Sequence, residues 1–71
     1  MNLYELLNEN KREKIRKETG VIIENRDYNR KDCEKVYYEI YNFIMNHSTK
    51  HGIIDRLYEE YYDVFKIMNI V

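Results

Sequence analysis

Proline is missing from this 71-residue sequence, and glycine occurs only twice, at Gly20 and Gly52. A β-sandwich or barrel needs frequent turn residues, so this shortage excludes one. Cysteine occurs once, at Cys33. No intrachain disulfide can form, and the bridges that small secreted domains rely on are lacking; a reducing, cytoplasmic compartment is the expectation. No cationic start is followed by an apolar run, so no secretory leader is read. The most apolar stretch, Ile53–Val71, is interrupted by six charged residues and does not fit a membrane span. Neither sign of charge dominates. Twelve basic and thirteen acidic side chains leave a net charge of −1, which disfavours a dedicated nucleic-acid binder.

Charged residues make up 35% of the chain and hydrophobic ones 44%, fractions of a folded chain, not of a disordered tail. With few breakers and many Lys, Glu, Ile and Leu, the expected fold class is all-α, in one domain over residues 1–71. It comprises an N-terminal helix, a short extended connector and an antiparallel two-helix hairpin, a three-helix mini-domain. The first helix is predicted from Leu3 to Glu18, capped by Asn2 with Glu5 three residues on. Gly20 suits the left-handed position past its end, and Val21 folds back towards Ile15. Leu3, Leu6, Leu7 and Ile15 form its apolar face, edged by Tyr4. Between Leu7 and Ile15 it is polar all round.

Val21-Ile22-Ile23 joins three β-branched residues, which favour extended backbone. Residues 21–28 are read as the connector, with a strand paired across a dimer as the alternative. Asn29 and Asp32 announce the second helix, and Tyr28 can staple against Cys33. Its main stripe is Cys33, Val36, Ile40 and Phe43, widened by Tyr37 and Ile44; Tyr38, Tyr41 and Met45 cover another side. After a polar turn at 46–52, a third helix is predicted from about Ile53 to Ile70. Its seam, Ile54, Leu57, Tyr61, Val64, Met68 and Val71, steps by three and four. Phe43 with Leu57, Ile40 with Tyr61 and Val36 with Val64 pair in constant antiparallel register, which makes a hairpin.

Chemistry-bearing residues are sparse. Cys33 falls on an apolar stripe, and fourteen residues of helix hold it about 21 Å from His47, beyond the reach of a nucleophile–base pair. It reads as a small buried hydrophobe. His47 and His51 are four apart and could share a helix face, with Asp55 and Glu59 nearby; two histidines alone do not close a zinc site. A metal-dependent site at His47 and His51 is one alternative function. Glu59, Glu60 and Asp63 read as a solvated face and not as acid–base groups. Lys11, Arg12, Lys14, Arg16 and Lys17 could contact phosphates, and a small nucleic-acid-binding regulator is the other alternative. Their charge is spread around the helix and diluted by Glu9, Glu13 and Glu18.

Tyrosine is over-represented, with eight residues. Tyr37, Tyr38 and Tyr41 on one arm of the hairpin face the level of Tyr58, Tyr61 and Tyr62 on the other. A tyrosine joins a large apolar body to a polar tip, which suits interfaces. The hairpin also carries more apolar side chains than one thin helix can cover. The expected function is therefore a non-enzymatic protein-interaction or regulatory module. It would self-associate as a homodimer, or bind a protein partner, through Tyr38, Tyr41, Tyr58 and Tyr62. No cofactor, small-molecule substrate or membrane is expected to take part.

Overall fold

The computed structural model describes residues 1–47 and 51–69, with side chains from Arg56 onward in the second stretch. It is all-α, and among the described residues there is no strand. Among the described residues five helices follow in order: α1 Leu3–Leu6, α2 Glu9–Thr19, α3 Arg30–His47, α4 His51–Glu60 and α5 Tyr62–Ile67. None of the described helices is long and apolar enough to cross a membrane.

The helix starts follow local side-chain chemistry. The Asn2 side chain accepts the Glu5 N–H at 3.3 Å. Asn29 and Asp32 cap α3 reciprocally: the Asp32 N–H donates to Asn29 Oδ1 at 2.9 Å, and the Asn29 N–H donates to Asp32 Oδ2 at 3.1 Å. Those bonds, joined by the Arg26 guanidinium, hold the Asp32 carboxyl below its usual range. Gly20 adopts φ +78° at the end of α2 and donates its N–H to Arg16 O, the left-handed cap expected there. Asn69, at φ +59°, plays the same part after α5.

Two predicted helices are each divided. The N-terminal helix breaks at Leu7, whose ψ of 142° is extended, and Asn8 caps a new start by accepting the Lys11 N–H at 2.7 Å. The C-terminal helix breaks at Tyr61, whose N–H bonds to Tyr58 O in a tightened turn. Each break exposes carbonyls that lose their helical donor, and neighbouring basic residues on α2 supply replacements. Arg12 Nη1 donates to Tyr4 O and to Leu7 O, the latter at 2.7 Å, closing α1. Lys11 Nζ donates to Glu60 O at 3.0 Å, closing α4.

The core draws buried residues from α1, α2, the connector, α3 and α5, with Leu57 and Tyr58 of α4 packed against it. Leu3 and Leu7, Ile15, the connector's Val21, Ile23 and Tyr28, then Cys33, Val36, Ile40 and Ile44 of α3 are buried together with Tyr61, Val64, Phe65 and Met68. The first break turns Leu6 outward, so it leaves the face expected of it and is more than half exposed. Phe65, off the predicted seam, is fully buried beside Val64. Helix α3 packs against both α2 and α4, the central position its two-sided pattern demands. The predicted turn at 46–52 spans residues 48–50, and Ile54 and Val71 of the seam also lie outside the residues whose side chains are described.

Candidate functional site

The tyrosines divide into shielded and open rings, and position on the helices decides which. Tyr37 is half-buried on the α4–α5 side of α3. Its ring stands 4.8 Å from Phe65 in an edge-on contact, and it packs 5.9 Å from Tyr41 nearly parallel and 5.4 Å from Tyr38 edge-on. Burial, with Tyr58 alongside, pushes the Tyr37 phenol above its ordinary pKa. Tyr58 is half-buried too, its ring 5.3 Å from Phe65. Both rings thus rest on Phe65.

Tyr38 and Tyr41 are more exposed. Tyr38 is 60% exposed, and Tyr41 and Met45 are also open, at steps of three and four residues along one side of α3. Tyr62, one turn beyond Tyr58, is 46% exposed and lies beneath the Lys66 ammonium at 5.7 Å. Of the four residues assigned to the contact surface from sequence, Tyr38, Tyr41 and Tyr62 are thus open, and Tyr58 is half-buried against Phe65. Met45 was legible as a member of this side through its spacing from Tyr38, although no interface role was drawn from it.

Tyr61 has the opposite fate to its neighbour. Its side chain is fully buried, and its hydroxyl donates to Glu18 Oε1 at 3.0 Å. Lys11 and Lys14 lie over the ring at 5.9 and 5.7 Å. Burial, followed by the hydrogen bond to Glu18, raises its pKa far above the ordinary phenol range.

The basic run on α2 is engaged within the chain. Lys11 reaches Asp63 at 3.3 Å as well as Glu60 O. Arg12 lies flat on the Tyr4 ring, 3.6 Å from its centre, while capping α1. Lys14 pairs with Glu60 at 3.2 Å, and Arg16 with Glu13 through both guanidinium and carboxylate. Lys17 projects into solvent. Of the three carboxylates read as a solvated face, Glu60 and Asp63 are the partners of these lysines, and Glu59 is exposed.

His47 stacks on Phe43 with ring centres 4.3 Å apart, and its Nδ1 lies 3.0 Å from Phe43 O. It therefore finishes α3 against the negative helix end. The His51 side chain lies outside the described residues. Among the described residues, no group of three or more His, Cys, Asp or Glu side chains is placed to hold a metal ion. Cys33 is free and buried, and burial raises its thiol pKa, which lowers its reactivity.

Two open grooves border the connector. One, of about 400 Å³, runs past Tyr4, Arg12, Arg16 and Ile22; the other, of about 310 Å³, past Ile22, Tyr28, Lys35 and Val36. Both are open to solvent, and Arg12, Arg16 and Arg26 on their walls are engaged within the chain. No protein-family model, curated protein or solved structure matches the chain.

Proposed function

We propose that this protein is a non-enzymatic interaction module that docks a partner protein on the tyrosine-bearing surface of α3 and α5. One observation carries the reading. Tyr38, Tyr41, Met45 and Tyr62 remain open although the chain fills its core with fourteen other hydrophobic side chains. With side chains of about 200 Å² each, the open parts of Tyr38, Tyr41 and Met45, which share one side of α3, add up to about 300 Å². That is within the size range of the largest apolar patch on a typical monomer, often a functional one. Tyr37 packs against the Tyr38 and Tyr41 rings, so less of their side-chain freedom remains to be lost on docking.

Affinity capture from native extract tests this, with a Tyr38→Glu, Tyr62→Glu double variant as control. Both positions are exposed, so the variant retains the fold, which helical circular dichroism verifies. A partner held by the parent and lost by the variant, and whose binding slows amide exchange along α3 in the purified complex, supports the reading. Partner sets that are identical for the two proteins retire it.

A further inference from the structure

We draw no further inference here: the strongest candidate, the exposed apolar face of the connector between α2 and α3 at Ile22, is an unpartnered surface, and nothing in the structure shows what covers it.

Discussion

The hydroxyl of Tyr61 donates to the Glu18 carboxylate at 3.0 Å across forty-three residues of sequence, which ties the break between α4 and α5 to the last turn of α2. Lys11 and Lys14 both lie over the ring, and each also holds an acidic group or carbonyl at the break. Five contacts thus converge where two short helices meet. That explains how a helix interrupted so close to its end stays docked.

This geometry predicts an alkaline instability. The folded-state pKa of Tyr61 is raised, so its contribution to stability is complete below the ordinary phenol value of about 10. Above that, the unfolded chain ionises while the folded one cannot, and stability falls as pH rises towards the folded pKa. The Tyr61→Phe variant is the comparison that isolates the phenol. It should lose about 1 kcal/mol at neutral pH through the missing hydrogen bond, and its urea midpoint should fall less between pH 9 and 11 than the parent's. Parallel pH curves for the two proteins would contradict this account.

Arg12 is predicted to matter for folding more than for charge. Replacing it with alanine removes donors from Tyr4 O and Leu7 O and a cation from the Tyr4 ring, and should cost about 1–2 kcal/mol. Lysine should not restore the loss, because an ammonium cannot both lie flat on the ring and fork to two carbonyls. The Lys17→Ala variant, a surface change, should stay within about 0.5 kcal/mol of the parent. Denaturant unfolding of the three variants decides it: equal midpoints would show that Arg12 is merely part of a charged face.

Gly20→Ala should destabilise by about 1 kcal/mol, although a Cβ at this position would meet nothing within 4 Å. The penalty comes from holding φ at +78° and not from a clash. Gly20→Asn should therefore cost less than alanine in the same thermal melt, since asparagine tolerates left-handed backbone. An alanine variant as stable as the parent would mean that the cap has rearranged.

Cys33 should react slowly with a thiol reagent in the native state. Its burial both blocks approach and raises its pKa. Labelling at mildly alkaline pH should be at least about a hundredfold slower than in denaturing urea, and should accelerate in step with unfolding. Rapid labelling of the folded protein would show that the α3 stripe opens more readily than its packing implies.

What the sequence disclosed and what it hid follow from the range of each interaction. The caps at Asn2, Gly20 and the Asn29–Asp32 pair were legible because they are made within a few residues of backbone. The buried stripe of α3 and the inward turn of Tyr61, Val64 and Met68 were legible from spacing. The breaks were not. Leu3, Leu7 and Ile15 fit one continuous helix, and only Asn8, at the head of a polar run, signalled a second start. The reason for that break lies in Arg12, and the reason for the one at Tyr61 lies in Lys11 and Glu18. A basic run displays its charge in the sequence but not the carbonyls it serves. The tyrosines mark the same boundary. Tyr61 and Tyr62 are adjacent and chemically identical, yet one is sealed in the core and the other stands in water.

That division has an optical consequence. The chain contains no tryptophan, so its near-ultraviolet absorption and emission belong almost wholly to tyrosine. The Tyr37 and Tyr41 rings lie nearly parallel at 5.9 Å, close enough for their transitions to couple. Such a stack behaves as a built-in chromophore at the edge of the open surface. Anything that settles on that surface would alter its signal without any attached dye, while the enclosed Tyr61 reports separately on the integrity of the core.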